Sequence, residues 1–270
     1  MSFLHRQALL FLCAVQFLTR IPTPALGAFE PDWISRSARY FPLVGLLVGL
    51  VCAGVFWSAS QVWSGALPAI LAIAAGVLVT GAFHEDGLAD TFDGLGGGGT
   101  PERRLEIMKD SRIGTYGALG LALALALKGA ALADLPPGLG AWAIVAAHAG
   151  GRGASVLAMR RLAYVGHLER GKWKPAPAGL AQAEVATALA FAALPFAVLA
   201  FGLFPWAPAA AGLVCGGLLA VALALTARRL LGGYTGDVLG AIEQAFELGA
   251  MLGFAGAVAL LQSPSVGEVR

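Results

Sequence analysis

Long apolar runs alternate with short polar connections along most of this chain. A helix of about 20 apolar residues crosses the hydrocarbon core of a bilayer, so we predict that seven of these runs are membrane-spanning helices. They comprise residues 40–58, 66–83, 114–135, 140–159, 183–201, 208–227 and 248–261. An earlier run, residues 8–18, is too short to cross, and we expect it to form an interfacial or re-entrant helix.

The composition indicates the same class of protein. Of the 270 residues 58% are hydrophobic and only 13% are charged, whereas soluble domains carry about 25% charged residues. We therefore predict an all-α fold, a polytopic integral membrane helical bundle in which residues 1–270 form a single domain. The net charge of +2 gives no indication of a nucleic-acid partner. Cys13, Cys52 and Cys215 lack a CxxC spacing and are interpreted as small core residues.

Basic residues concentrate in alternate connections between the predicted spans. Four precede the first span, four lie between the second and third, five lie between the fourth and fifth, and two follow the sixth. Basic connections generally face the cytoplasm. We therefore expect the amino terminus inside the cell and the carboxyl terminus outside.

Residues 81–117 interrupt the apolar pattern with the sequence GAFHEDGLADTFDGLGGGGTPERRLEIMKDSRIGTYG. Asp86, Asp90 and Asp93 follow each other at i, i+4 and i+7, so a helix would place all three carboxylates on one face. Like charges at this spacing repel, and clustered carboxylates are the ligands that Mg²⁺, Mn²⁺ or Ca²⁺ prefer. A solvated acidic face is the alternative. We favour a metal site because the acids directly follow an apolar run, where uncompensated charge is costly.

Three further polar residues are predicted to lie on the same side of the membrane. Arg152 stands among glycines inside the fourth span, where a guanidinium is costly unless an acid or a phosphate pairs with it. Thr235 and Asp237 precede the last apolar run. They either belong to the site or provide the N-cap of a helix.

The remaining polar residues within apolar runs receive structural interpretations. Lys128, in the third span, is expected to extend to the outer interface and has no assigned chemistry. His148 is expected to be structural. His84 is either a supporting group or base of the site, or a hydrogen-bonded structural residue.

Clustered carboxylates, nearby basic residues and a glycine-rich segment together indicate metal-assisted phosphoryl transfer. A metal would bridge phosphate oxygens, cations would absorb the charge of the leaving group, and a carboxylate would accept a proton. These residues by themselves do not name a substrate.

Five blocks of the sequence resemble the cobalamin synthase family, the adenosylcobinamide-GDP ribazoletransferases. They are FLTRIPTP, YFPLVGLLVG, GAFHEDGLADTFDG, LEIMKDSRIGTYG and LGGYTGDVLGAIEQ, in the order typical of the family, from residue 17 to about residue 247. The resemblance implies Mg²⁺-dependent transfer from adenosylcobinamide-GDP to α-ribazole or its 5′-phosphate, with release of GMP and formation of adenosylcobalamin or its phosphate. Gly151 stands where the family usually has a serine, so a hydroxyl contact expected there is missing.

The resemblance also implies roles for individual residues. Asp86, Asp90 and Asp93 would be catalytic and would bind Mg²⁺, or Mn²⁺ as a substitute, together with Asp110. The residues expected to face phosphates or close the site are Lys109, Arg112, Arg152, Arg20, Thr235 and Asp237. The protein would contact membrane lipid in a bacterial inner membrane, with its active site facing the cytoplasm. A homo-oligomer, or association with other enzymes of nucleotide-loop assembly, is left open.

Two other classes of protein also place acids within apolar sequences. An ion-coupled transporter would carry its acids near the bilayer midplane in repeated halves, whereas the acids here cluster near one interface and no second half is evident. A CDP-alcohol phosphotransferase making a phospholipid would have an arginine after Ala89, where this chain has Asp90.

Overall fold

A computed structural model describes residues 2–26, 32–166, 180–203 and 205–262 of the protein. The described residues form α-helices connected by short turns, and the only β-type pairing among them is an isolated bridge between Tyr164 and Tyr234. The helices are α1 (Phe3–Leu18), α2 (Trp33–Ser37), α3 (Phe41–Ser60), α4 (Leu67–Thr80), α5 (Phe83–Gly97), α6 (Pro101–Ile107), α7 (Thr115–Ala133), α8 (Pro137–Arg161), α9 (Gln182–Val198), α10 (Trp206–Leu231) and α11 (Gly236–Gln262). The predicted all-α helical bundle is confirmed.

Five helical segments within the described residues are long and apolar enough to cross a membrane by themselves. They are Trp33–Ser60, Thr115–Ala133, Gln182–Gly202, Trp206–Leu231 and Gly236–Gln262. Helices α4 and α5 meet this criterion only as a pair bent by 93°. Helix α8, predicted as the fourth span, does not meet it. The number of seven spans therefore stays a prediction, with five or six supported by helix length and composition.

Helix α8 lies at the centre of the bundle, which explains its less apolar sequence. It packs against α3, α9, α10 and α11, and α11 also contacts α5 and α7. Small residues allow these helices to approach closely. A Cβ atom added at Gly49 of α3 would lie 2.9 Å from the Cα atom of Val145, and one at Gly151 of α8 would lie 2.9 Å from the carbonyl oxygen of Glu243. Gly151 therefore marks a close approach of α8 to α11.

A sharp turn directs the acidic helix away from α4. Gly81 and Ala82 both have left-handed backbone conformations, with φ of 69° and 60°. The segment after α1 docks against this turn, because the N–H of Arg20 donates to the carbonyl oxygen of Val79 at 2.7 Å and its guanidinium lies against Gly81. Helix α1 has 16 residues, which agrees with the prediction of a non-spanning helix at residues 8–18.

The end of α8 and the start of α11 are held together by backbone hydrogen bonds. The N–H of Tyr234 donates to the carbonyl oxygen of Ala163 at 2.8 Å. The N–H of Val165 donates to the carbonyl oxygen of Tyr234 at 2.9 Å. Residues 167–179 of the connection from α8 to α9 lie outside the described residues. They include three of the five basic residues between the fourth and fifth predicted spans. The bridge between Tyr164 and Tyr234 brings the segments after α8 and before α11 next to the site.

Candidate active site

The three acids of α5 are joined by a fourth carboxylate from α11. Asp86 is exposed, Asp90 is half-buried and Asp93 is buried. Gly87 packs against the main chain of Asp237, since a Cβ atom added there would lie 2.8 Å from its carbonyl oxygen. The negative charges of Asp86, Asp237 and Asp93 all act on Asp90. We call these four residues the acidic cluster. The structure therefore brings the predicted triad together and adds Asp237 to it.

Asp93 also caps the amino-terminal end of α7. Its two carboxylate oxygens accept hydrogen bonds from the backbone N–H groups of Gly114 and Gly117, at 2.7 and 2.8 Å. These N–H groups have no partners within the first turn of a helix, and a negative charge is favourable there. A Cβ atom at either glycine would overlap the carboxylate. Each carboxylate oxygen has a second acceptor position, so Asp93 is oriented by α7 and can still bind a cation.

Asp110 and Arg112 pair with each other on the surface. Arg112 donates from Nη2 to Oδ2 of Asp110 at 2.6 Å and from Nε to Oδ1 at 3.0 Å. These hydrogen bonds lower the pKa of Asp110 to about 2. Lys109 is exposed beside them. Among the described contacts none joins Asp110 to the acidic cluster. Its role as a ligand, and the phosphate contacts of Lys109 and Arg112, stay predictions.

Thr235 provides the N-cap of α11, which is one of the two roles that its position predicted. Its hydroxyl group accepts a hydrogen bond from the N–H of Val238 at 3.2 Å and donates one to Oδ2 of Asp237 at 3.3 Å. Thr235 therefore orients an acid of the cluster.

Arg20 is exposed at the turn before α5. It lies beside the start of the helix that carries the other three acids of the cluster.

Arg152 is buried and pairs with an acid that the sequence did not single out. Its Nη1 donates to Oε1 of Glu243 at 2.6 Å and to the carbonyl oxygen of His148 at 2.9 Å. The sequence predicted an acid or a phosphate as the partner of this arginine, and in the structure that partner is Glu243. The Nε atom of Arg152 is buried without a hydrogen-bond partner among the described residues.

The prediction that Lys128 extends to the outer interface is wrong. Its Nζ is buried and donates to Oε2 of Glu247 at 2.6 Å and to Oε1 of Gln244 at 3.0 Å. Glu247 also contacts His148. The sequence signal for these acids was present, since Glu243 and Glu247 stand four residues apart inside a long apolar helix.

These side chains form a buried network between α7, α8 and α11, which Glu85 of α5 joins by accepting a hydrogen bond from Gln244. The carboxylates of Glu243 and Glu247 lie close enough to His148 to hold a metal ion. Arg152 and Lys128 already contact these carboxylates, however, so the negative charge is compensated within the protein. The network is therefore best described as structural, and the acidic cluster is the better candidate for a metal site.

A cavity of about 320 Å³ opens beside the acidic cluster. Asp86, Asp237 and Arg152 contribute to its polar side, and aromatic and aliphatic side chains form most of the remaining wall. The aromatic residues that line it are Phe17, Phe41, Phe83, Tyr164 and Tyr234. Residues from α1, α3, α5, α8 and α11 thus meet around a partly open cavity next to the acids.

Comparison with known proteins identifies the family. A sequence model described as cobalamin-5-phosphate synthase matches residues 10–255, which include the acidic cluster and the cavity. The chain belongs to the cobalamin-5-phosphate synthase family. An adenosylcobinamide-GDP ribazoletransferase of Leptothrix cholodnii is 48% identical over 263 residues, covering 94% of this chain and 97% of the relative. One of Shewanella frigidimarina is 43% identical over 251 residues, covering 90% and 92%. No solved structure matches the chain.

Membership of the cobalamin-5-phosphate synthase family confirms the resemblance found in the five sequence blocks. It favours a transferase over an ion-coupled transporter or a CDP-alcohol phosphotransferase. The comparisons do not assign individual site residues.

Proposed function

We propose that this member of the cobalamin-5-phosphate synthase family transfers the adenosylcobinamide phosphate group of adenosylcobinamide-GDP to α-ribazole or its 5′-phosphate, with release of GMP. The observation that carries the proposal is the acidic cluster beside a partly open cavity, within the sequence region that matches the family. Diphosphate chemistry requires a concentration of charge of this kind next to a substrate site.

The acidic cluster suits a divalent metal ion. Three carboxylates crowd around the half-buried Asp90, and four oxygen-ligand groups with this charge suit Mg²⁺, with Mn²⁺ as a substitute. Asp86, Asp90 and Asp237 would hold the ion, and Asp93 would contribute from the position fixed by α7. When bound, the metal would neutralise the charge that develops on the diphosphate.

The residues of the chain suggest how the reaction proceeds. A ribose hydroxyl of the acceptor attacks the phosphorus nearer the corrinoid. A new O–P bond forms, the bond from that phosphorus to the bridging oxygen breaks, and GMP leaves with the oxygen. Asp86 and Asp237 border the cavity, so one of them would accept the proton of the hydroxyl. Asp93 is less suited as this base, because both of its oxygens already accept N–H groups.

Basic residues would bind the phosphates of the donor. Arg20 lies beside the start of α5, and Lys109 and Arg112 follow α6 on the exposed surface. The same end of the bundle carries the basic connections, which supports a site that faces the cytoplasm from a bacterial inner membrane. That side would also give access to the cytoplasmic nucleotide donor.

Purified full-length protein incubated with both substrates tests this function. We expect GMP and the cobalamin product to form in a reaction that requires Mg²⁺ and is abolished by Asp86→Ala, Asp90→Ala or Asp93→Ala. Asp134→Asn, an exposed acid at the other end of α7, is the matched control and should retain activity. Full turnover in Asp90→Ala at saturating Mg²⁺ would remove the acidic cluster from the mechanism. Absence of any product with the wild-type protein would refute the proposed reaction.

A further inference from the structure

Three buried donor atoms that line the cavity, in Arg152, Tyr164 and Tyr234, have no hydrogen-bond partner among the described residues. The hydroxyl group of Tyr234 and the Nε atom of Arg152 form no hydrogen bond among the described residues, although the two side chains are only 2% and 1% exposed. An unpaired buried donor costs about 1–3 kcal/mol, and such groups are few in folded proteins. Both residues line the same cavity. Their arrangement indicates that a ligand completes their hydrogen bonds.

The phenol of Tyr234 is able to donate such a hydrogen bond at neutral pH. Burial and the neighbouring Tyr164 raise the pKa of Tyr234 to about 12. Its backbone is fixed by hydrogen bonds to Ala163 and Val165, in the segment that directly follows α8. The hydroxyl is therefore protonated and attached to a rigid part of the site.

Aromatic side chains form two walls of the cavity. Phe17 stacks on Phe41 with ring centroids 5.8 Å apart and meets the edge-on ring of Phe83 at 5.4 Å. Tyr164 and Tyr234 form a second edge-to-face pair, also at 5.4 Å. Aromatic walls of this kind favour a planar aromatic ligand.

The size of the cavity limits which part of the two substrates it can hold. Its volume of about 320 Å³ is at the lower end of the range for small-molecule sites, about 300–1,000 Å³. A corrin macrocycle is too large for this space, so a nucleoside is the candidate. The adenosyl group of the donor is bound to the corrin, which leaves the guanosine of the donor and the ribazole acceptor as the two nucleosides to distinguish.

The polarity of the walls distinguishes these two nucleosides. Guanine carries several hydrogen-bond donors and acceptors around its edge, and burying them against phenylalanine rings without partners is costly. The dimethylbenzimidazole base of ribazole has two methyl groups and no exocyclic polar group. Two acids that line the cavity, Asp86 and Asp237, belong to the acidic cluster. The ribose hydroxyl that attacks the phosphorus has to lie next to this cluster.

We propose that this cavity is the acceptor pocket, in which the benzimidazole ring of ribazole packs against the phenylalanine rings while the Tyr234 hydroxyl donates a hydrogen bond to the bound acceptor. This assignment rests on the proposed ribazole transfer. It makes Tyr234 a binding residue that orients the acceptor towards the acidic cluster. The donor, with its corrin and guanosine groups, then approaches from outside the cavity.

Binding of α-ribazole to the full-length protein in lipid nanodiscs, measured by isothermal titration calorimetry without the donor, tests the assignment. Tyr234→Phe should weaken ribazole binding about tenfold, which corresponds to about 1.4 kcal/mol. Its thermal stability without ligand should be equal to or higher than that of the wild type, because the substitution removes an unpaired buried hydroxyl. Phe83→Ala, at a ring that is 42% exposed, should weaken binding through loss of a wall with little effect on folding.

Tyr40→Phe is the matched control, since it removes a hydroxyl that donates to Oε1 of Gln7 outside the cavity. It should leave the ribazole affinity unchanged, and Tyr234→Phe should leave the affinity for adenosylcobinamide-GDP unchanged. If Tyr234→Phe binds ribazole as tightly as the wild type, or if GMP displaces ribazole, the assignment of the cavity as the acceptor pocket is wrong. If the wild-type protein makes cobalamin while Tyr234→Phe keeps the ribazole KM, only the pocket assignment fails. If the wild-type protein neither binds ribazole nor forms product, the proposed function fails with it.

Discussion

Replacing Lys128 by methionine should destabilise the protein strongly, because it leaves a buried carboxylate without its cation. Lys128 is 7% exposed and Glu247 is 1% exposed, and their charged atoms are 2.6 Å apart. Removing one partner of a buried ion pair costs about 3–5 kcal/mol. We expect a value near the lower end of this range, since Glu247 keeps its contact with His148. The loss is large compared with typical total stabilities of about 5–15 kcal/mol.

A double-mutant cycle measures this coupling. The free energy of unfolding in detergent would be determined for the wild type, Lys128→Met, Glu247→Gln and the double variant. Direct partners typically couple by about 0.5–3 kcal/mol, and we expect the double variant to be more stable than the sum of the single losses predicts. Lys109→Met is the matched control at an exposed lysine and should change stability by no more than about 0.5 kcal/mol.

The result that refutes this reasoning is a Lys128→Met variant as stable as the Lys109→Met control. It would mean that the lysine extends to the membrane interface, as its sequence position suggested, and that the carboxylate does not depend on it. Additive losses in the cycle would also contradict a direct interaction between Lys128 and Glu247.

Three further predictions concern the site and its orientation. Asp90→Asn should abolish both transfer and Mn²⁺ binding measured by electron paramagnetic resonance, because an amide lacks the charge that a hard cation requires; retained Mn²⁺ affinity would exclude this ligand. Gly117→Ala should lower the free energy of unfolding by about 1–3 kcal/mol through overpacking against the carboxylate of Asp93, and a neutral effect would argue against the capping contact. On a background without native cysteines, Gly99→Cys should resist a membrane-impermeant thiol reagent added to intact cells while Gly138→Cys reacts, and the reverse labelling would place the site outside the cell.

Sequence periodicity and local chemistry determined much of the architecture. Apolar runs predicted the helical bundle because a helix in lipid satisfies its own backbone hydrogen bonds within one segment. The i, i+4, i+7 spacing of Asp86, Asp90 and Asp93 placed them on one helix because that geometry is fixed by the helical repeat. The family resemblance was also present in the sequence itself.

Local patterns were less reliable where neighbouring helices change the environment. Residues 140–159 are predicted as a span, whereas helix α8, which carries His148 and Arg152 and is covered by other helices, is not apolar enough to meet the criterion for a span. Helix α11 begins at Gly236, well before the apolar run predicted at residue 248. Its first turns are polar because they line the site and the buried network, and composition could not distinguish them from a connection.

Only the tertiary structure decided which charges meet. Lys128 and Glu247 are 119 positions apart in the chain, and Arg152 and Glu243 are 91 apart. Asp93 receives its hydrogen bonds from the start of α7, and the acidic cluster gains Asp237 from α11. A sequence specifies side chains and their local spacing, whereas the partner of a buried charge depends on how distant helices pack. Because an unpaired charge is costly inside the bundle, that packing determines whether a polar residue becomes a structural ion pair or part of the site.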